Sequence, residues 1–189
     1  MFTINLKINY MKKTLLVAVI FFSFFSVKAQ NETNVDPYQK NNELKLNVVS
    51  PLSGALEASY ERHLNKKSSL GISFLTVYDN TINKDLNYYV SPYYRRYFGK
   101  KYASGFFAEG FGMLTSIDGK KIYSEDHSTF TENPNVTDGA LGVGLGGKWL
   151  TKSGFVFEVN VGYGFLLFNA DKTDHNIVNK IGLNVGYRF

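Results

Sequence analysis

Two of the three histidines in this chain have neighbours that could support nucleophilic catalysis. His127 lies between Asp126 and Ser128, and His175 follows Asp174. A serine activated by a histidine performs acyl transfer, the chemistry of a lipid hydrolase or transferase. No nucleophile motif surrounds either histidine, and polar loops commonly contain such residues. We therefore assign no catalytic residue and expect no enzymatic activity, with a lipid A acyl hydrolase or transferase as the alternative.

The sequence offers no convincing cofactor or metal site. The absence of Cys excludes thiolate zinc sites and a thiol nucleophile. Residues 142–147 match the pattern G-x-G-x-x-G, but a dinucleotide site needs that motif at a turn from a strand to a helix, and here it lies inside a strand pattern. The carboxylates of residues 117–138 do not have the spacing of a calcium loop. We expect no cofactor and no metal.

A third group of candidates consists of charged residues at the polar positions of alternating segments. If these segments close into a small barrel, the charges face a lumen that side chains just fill, so they must pair with one another. Glu61 and Arg95 are expected on non-adjacent strands, close together across the lumen. The pattern favours a structural salt-bridge network, with a path for protons or small solutes as the alternative. The predicted network comprises Lys45, Glu57, Glu61, Arg95, Lys148, Glu158, Lys180 and Arg188, with His63 nearby.

The elements that would position these charges are eight segments in which apolar and polar residues alternate. Strict alternation is the signature of strands with one apolar face. The last three segments, within residues 141–189, alternate most clearly. In the fifth, Glu109 shares a phase with Phe107 and Phe111, so its faces stay unassigned and a bulge could re-phase it. The first five segments are residues 44–52, 56–64, 70–78, 86–98 and 103–116.

The connections between these segments fall into two classes. Short turns are predicted at 65–68, 99–101 and 151–154, whereas the alternate connections are longer, except for a tight first one near 53–54. Short turns at one end and long loops at the other are typical of outer-membrane barrels, whose long loops lie outside the cell. The sequence thus predicts an all-β, eight-stranded antiparallel up-and-down transmembrane β-barrel. Its longest loop, 117–138, is the candidate for binding an extracellular ligand.

The direction of the apolar face separates a membrane barrel from a soluble one such as a lipocalin. Glycines accompany Glu, Lys and Arg on the polar face, which suits a narrow lumen where glycines leave room for long charged side chains. Aromatic residues also gather at the short-turn end, as an interfacial girdle requires. The girdle is predicted from Trp149, Phe157, Tyr187 and Phe189, together with Tyr97, Phe98 and Phe155.

The N-terminal region has the pattern of an export signal. Residues 11–29 combine a basic start, an apolar run and a small-residue cleavage site, which predicts cleavage after Ala29, while residues 1–10 are interpreted as an upstream start artefact and 30–42 as a flexible segment. The formal charge of +5 includes four lysines that precede the cleavage point. The remaining chain is almost neutral and has no basic stripe, so we expect no nucleic-acid partner.

The C-terminal residues 185–189 resemble the last strand of bacterial outer-membrane proteins. From about Glu43 onward the chain is similar to the eight-stranded family of OmpX and the OmpA membrane domain. Residues 60–62 and 93–97 look similar to small barrels of Bacteroidota. The resemblance implies a Gram-negative outer membrane, surrounding lipid, and the barrel-assembly machinery reading Phe189. We expect a monomer with a filled polar lumen and a structural or surface-interaction role.

Overall fold

The computed structural model describes residues 40–82, 86–123, 130–174 and 176–189. The predicted signal peptide at 11–29, its cleavage site and the candidates His127, Ser128 and His175 lie outside the described residues. Within these ranges, no helix has the length and hydrophobicity needed to cross a membrane.

Ten strands and two short 3-10 helices make up the regular structure of the described residues. The helices are Ser50–Ser53 and Ala170–Lys172. A small hairpin within the longest loop is formed by β6 (Lys121–Tyr123) and β7 (Phe130–Glu132). The other strands are β1 (Asn42–Asn47), β2 (Ala55–Asn65), β3 (Ser68–Val77), β4 (Leu86–Tyr97), β5 (Gly105–Ile117), β8 (Val136–Leu150), β9 (Phe155–Leu166) and β10 (Ile177–Arg188).

The eight remaining strands close into one barrel in which every neighbouring pair is antiparallel. Their order around the wall is β1-β10-β9-β8-β5-β4-β3-β2. At the seam, residues 43–47 of β1 pair with residues 184–188 of β10. Asn42 and Phe189 then exchange backbone hydrogen bonds of 3.1 and 2.8 Å. The predicted eight-stranded antiparallel barrel is confirmed.

The first strand is shorter than the alternation predicts. It begins at Asn42 and ends at Asn47, where the prediction extends to residue 52. Pro51 lies in the 3-10 helix that follows, and a proline has no N–H with which to continue a ladder. At the end of β1, the side-chain amide of Asn47 makes hydrogen bonds to backbone groups in place of the strand ladder. Its Nδ2 donates to the Ile181 carbonyl at 3.0 Å and its Oδ1 accepts from Val49 N at 3.1 Å.

The fifth strand needs no bulge. Its register with β8 runs unbroken from Gly105 opposite Lys148 to Ile117 opposite Val136. Phe107, Glu109 and Phe111 therefore share the inner face with the apolar residues that follow them. On the other side of β5, the pairing with β4 has a register shift between Leu86 and Tyr88.

The wall is apolar outside and mixed inside. Val143, Phe165 and Ile181 are 71, 64 and 63% exposed on the outer face. The short-turn half of the interior is mainly charged and the long-loop half is mainly apolar, although Thr115 and Asp138 are also buried there, so the expected polar lumen extends through only part of the barrel. The cluster includes Leu75, Tyr89, Tyr93, Phe111, Met113, Ile117, Leu166 and Val178.

Candidate functional site: the charge network of the lumen

The charged side chains reach the lumen because alternate residues of a strand face the same side. On β1 that phase places Glu43 and Lys45 inside, and on β2 it places Glu61 and His63 inside. Five other strands add one or two charges each, and a barrel of eight strands is narrow enough for them to meet at its centre. These additions are Arg95 from β4, Glu109 from β5, Lys148 from β8, Glu158 from β9, and Lys180 and Arg188 from β10.

Glu61 is the centre of the network. Its carboxylate lies 2.6 Å from Lys45 Nζ, 2.8 Å from Lys148 Nζ and 2.9 Å from Arg95 Nη1. Ser69 Oγ donates a hydrogen bond to it at 2.6 Å, and the Tyr97 hydroxyl donates another. The Tyr93 hydroxyl donates a third, longer hydrogen bond at 3.3 Å. Three cations and three hydroxyls thus hold one buried carboxylate.

Arg95 connects Glu61 to two further carboxylates. Its Nε lies 2.6 Å from Glu109 and its Nη1 lies 2.7 Å from Glu158. The guanidinium carbon is 4.4 Å from the ring centre of Tyr93 and 4.3 Å from that of Phe107. The cation is therefore held by both ion pairs and aromatic faces, which fixes its position.

A second cluster lies at the short-turn end beside the seam. Arg188 Nε donates to Glu43 at 2.7 Å and its Nη2 donates to the Ala103 carbonyl at 2.7 Å. Lys148 Nζ donates to Glu43 at 2.6 Å. This cluster links β1, β8 and β10 with the turn that follows β4.

The structure brings seven of the eight sequence-predicted network residues into direct ion pairs. Glu57 is the eighth, and it accepts a hydrogen bond from Asn47 Nδ2 at 2.7 Å. Two members of the network, Glu43 and Glu109, were not predicted. Glu43 lies two residues before Lys45 and could have been found from its phase, whereas Glu109 was hidden by the large apolar residues that share its face.

The network balances its charge within the described residues. Five buried glutamates face five buried lysines and arginines inside the barrel, with His63 beside them. Buried charges are tolerated when each has a partner of opposite sign. These ten side chains sum to zero formal charge, and nine of them contact a partner of opposite sign, whereas Glu57 is held by the Asn47 amide.

Glu43, Glu61 and His63 form a group whose ligand atoms lie within 4.8 Å of one another, a spacing that could hold a metal ion. Both carboxylates are already in contact with Lys148, at 2.6 and 2.8 Å. A divalent cation would have to displace that ammonium group. His63 Nε2 lies 3.0 Å from Glu43 Oε1, but outside hydrogen-bond geometry. The group suits a salt-bridge cluster better than a metal centre.

A small polar cavity lies inside the barrel. This cavity, between the charged and apolar halves, has a volume of about 10 Å³, which is room for about one water molecule. Glu57, Arg95 and Lys180 are among its lining residues. Tyr93, which also lines the cavity, and Phe111 belong to the apolar cluster.

Several glycines on the inner face make space for aromatic rings, in addition to the charged side chains for which they were predicted to leave room. A Cβ on Gly71 would lie 2.3 Å from the Tyr93 ring, and one on Gly146 would lie 2.4 Å from the Phe107 ring. At Gly186 the prediction holds, because a Cβ there would meet the Lys45 side chain at 2.6 Å. The charged side chains and the aromatic rings beside them therefore fit inside the barrel because these positions are glycine.

The predicted girdle residues lie on the outer face, with one exception. Trp149, Phe157 and Phe189 are exposed, and Tyr187 is half-buried with its ring 5.7 Å from that of Phe155. Tyr97 faces the lumen instead and is 1% exposed. Since Tyr97 is two residues from Arg95, the two residues must share a face.

The predicted recognition loop packs against its neighbour. Lys120 N donates to the Lys172 carbonyl at 3.0 Å, and Lys121 N donates to Asp174 at 3.1 Å. Asp138 accepts from Asn169 N at 2.8 Å. The described parts of the loops after β5 and β9 therefore hold each other in place.

Two solved barrel structures are similar to this chain. The N-terminal β-barrel domain of Pseudomonas aeruginosa OprF superposes with a TM-score of 0.55 at 15% identity, over 80% of this chain and 98% of that one. The Yersinia pestis outer-membrane protein Ail, determined in a phospholipid bilayer nanodisc, gives a TM-score of 0.38 at 17% identity, over 80% of this chain and all of that one.

The OprF likeness confirms the expected small-barrel fold. No curated protein sequence matches the chain significantly. The family model described as "Protein of unknown function (DUF3575)" matches residues 15–187. With nearly the whole chain inside that match, the protein belongs to the DUF3575 family.

Proposed function

We propose that this protein is a non-enzymatic, non-conducting β-barrel of the outer membrane, exported by a cleaved signal peptide, whose long loops carry a structural or surface-interaction role. The observation that carries the proposal is the inverted distribution of polarity. Lys45, Glu61 and Lys148 are at most 1% exposed, while large apolar residues cover the outer face. A water-soluble barrel would leave a continuous apolar surface in water, far larger than monomeric soluble proteins expose.

The filled interior supports a barrel that does not conduct ions, rather than a channel. Ions would have to pass a network with balanced charge and then an apolar layer that includes Tyr89, Tyr93 and Phe111. The cavity between them has room for about one water molecule. Moving a desolvated ion through such a layer is costly.

The loop after β5 supports the surface-interaction role. It carries its own hairpin, β6 with β7, and Ile122 on that hairpin is 57% exposed. Its hydrogen bonds to Lys172 and Asp174 hold it against the next long loop. Ordered loops on a rigid barrel are common places for recognition.

Fractionation and bilayer recordings test the proposal. The protein should be found in the outer-membrane fraction, and its mobility on a gel should change on boiling, as folded barrels show. In planar bilayers the purified protein should give no steady conductance, with a general porin as positive control. A soluble periplasmic protein with unchanged mobility would refute the location, and reproducible ion-selective steps would refute the closed lumen.

Surface labelling tests the topology separately. An epitope inserted in the loop 117–138 should be labelled in intact cells, while one inserted in the turn 151–154 should be labelled only after permeabilisation. The reverse pattern would contradict the assignment of the long loops to the outside. Deleting the protein should leave lipid A acylation unchanged. A change in acylation that the wild type restores but a His127→Ala/Ser128→Ala variant does not would favour the enzyme.

A further inference from the structure

Among the described residues, exposed side-chain carboxylates lie at only one end of the barrel, whereas exposed lysines lie at both ends. Each of the three short turns carries exposed lysine, and four of these residues are here called the cationic rim: Lys66 and Lys67 after β2, Lys100 after β4, and Lys152 after β8. These turns join strands that lie all around the barrel wall. The rim therefore surrounds the barrel rather than forming one lateral patch.

The described side-chain carboxylates lie away from this rim. Those on the same half of the barrel, such as Glu43 and Glu61, are buried in the lumen and paired with internal cations. The described aspartates all lie at the long-loop end, at Asp79, Asp118, Asp138, Asp171 and Asp174, and Glu132 belongs to β7 at that same end. Among the described side chains, the exposed charge of the short-turn end is thus positive.

Apolar and cationic groups adjoin one another at the short-turn end. Trp149 and Phe155 are exposed on the outer face just beyond the turns, and Arg96 is exposed near the end of β4. A groove of about 200 Å³ beside Trp149 is lined by Lys100 and Lys101. Indole rings favour the boundary between acyl chains and headgroups, and lysines favour negative charge at that level.

We propose that the cationic rim binds the phosphate groups of anionic phospholipid headgroups in the leaflet around the short turns, and that the groove beside Trp149 seats one of them. This inference rests on the proposed membrane location. The encircling distribution of the lysines fits a leaflet, because lipids contact the whole circumference, whereas a protein partner would meet one side. Lysine binds phosphate as a point charge, which suits mobile headgroups.

Lipid selectivity in reconstituted bilayers tests the proposal. The full chain is inserted into phosphatidylcholine vesicles that contain spin-labelled phosphatidylglycerol or spin-labelled phosphatidylcholine, and the motionally restricted fraction is measured for each label. A rim variant with Lys66, Lys67 and Lys100 replaced by Gln is compared with a long-loop variant in which Lys120, Lys121 and Lys172 are replaced by Gln. Both lose the same charge, but from opposite ends of the barrel.

The wild type should prefer phosphatidylglycerol by roughly five-fold at low salt, the effect of about one cation at a membrane surface. The preference should fall with added salt, as interactions of exposed charges do. It should be lost in the rim variant and kept in the long-loop variant. Equal association of both labels with the wild type, or a preference that the rim variant keeps, would overturn the inference.

The heat-dependent gel shift, measured on the same vesicles, separates this inference from the proposed function. A chain that does not fold in neutral phosphatidylcholine contradicts the membrane location itself. A chain that folds there without lipid preference contradicts only the rim.

Discussion

Arg95 on β4 reaches across the lumen to Glu61 on β2, with 2.9 Å between Nη1 and Oε2, although β3 separates the two strands in the wall. The contact ties together parts of the barrel that share no backbone hydrogen bonds. It also places one guanidinium within ion-pair distance of Glu61, Glu109 and Glu158. Much of the interior depends on this one side chain.

Replacing Arg95 with Met should lower the free energy of unfolding by about 3–5 kcal/mol, because it leaves buried carboxylates without their cation. The measurement is urea unfolding in lipid vesicles, followed by the heat-dependent gel shift. Arg96→Met is the matched control, since Arg96 is exposed on the opposite face, and its effect should stay within about 0.5 kcal/mol. Equal effects of the two substitutions would contradict the assigned role of Arg95.

Glu109 and Lys180 should be energetically coupled. Their Oε1 and Nζ atoms are 2.8 Å apart, and both side chains are buried. Glu109→Gln and Lys180→Met should each destabilise the barrel, and the double variant should lose about 1 kcal/mol less than the sum of the two. A double-mutant cycle of unfolding free energies measures the difference. Strict additivity would show that the pair does not interact.

Gly71→Ala should destabilise the barrel by about 1–3 kcal/mol, because the added methyl group collides with the ring of Tyr93. Gly110→Ala is the control, since a Cβ there meets nothing within 4 Å. In a protein that already carries Tyr93→Leu, Gly71→Ala should lower the free energy of unfolding much less than it does in the wild type. A destabilisation that persists in the double variant would place the strain in the backbone instead.

Trp149 is the single tryptophan of the chain and offers a direct probe of the outer face. In vesicles that contain brominated lipids, its fluorescence should be quenched more by bromine near the headgroups than by bromine deep in the acyl chains. The variant Trp149→Phe/Tyr97→Trp moves the probe to the inner face at the same end of the barrel, and the gel shift establishes that it folds. The folded variant should resist quenching, and strong quenching of it would contradict the inward position of residue 97.

Much of the architecture could be predicted because alternation of polar and apolar residues determines the faces of a strand. The same rule, applied strictly, places Tyr97 inside with Arg95, although its aromatic ring is equally typical of a girdle. Glu109 could not be placed in this way, because its inward neighbours Phe107 and Phe111 look like outward residues. Only the three-dimensional register shows that the glycines of β8 lie opposite these rings.

The apolar long-loop half of the interior was the least predictable feature. Tyr89 and Tyr93 share the phase of Arg95, and Met113 shares that of Glu109, but all three have the composition of a lipid-facing surface. Alternation therefore assigns their side of the wall only after one charged residue of the same strand has been placed inside. The partner of Glu57 was missed for a different reason, since Asn47 becomes its hydrogen-bond donor only once β1 and β2 pair.

The matched charges of the lumen also limit how this sequence can change over evolutionary time. A substitution that removes one acid or one base leaves a buried charge uncompensated, so the inventory of inner charges should drift only through paired replacements. The pairing need not be fixed between particular positions, because Lys45, Arg95 and Lys148 each contact more than one carboxylate. Relatives of this chain should therefore preserve the sum of the inner charges more faithfully than the identity of any one of them.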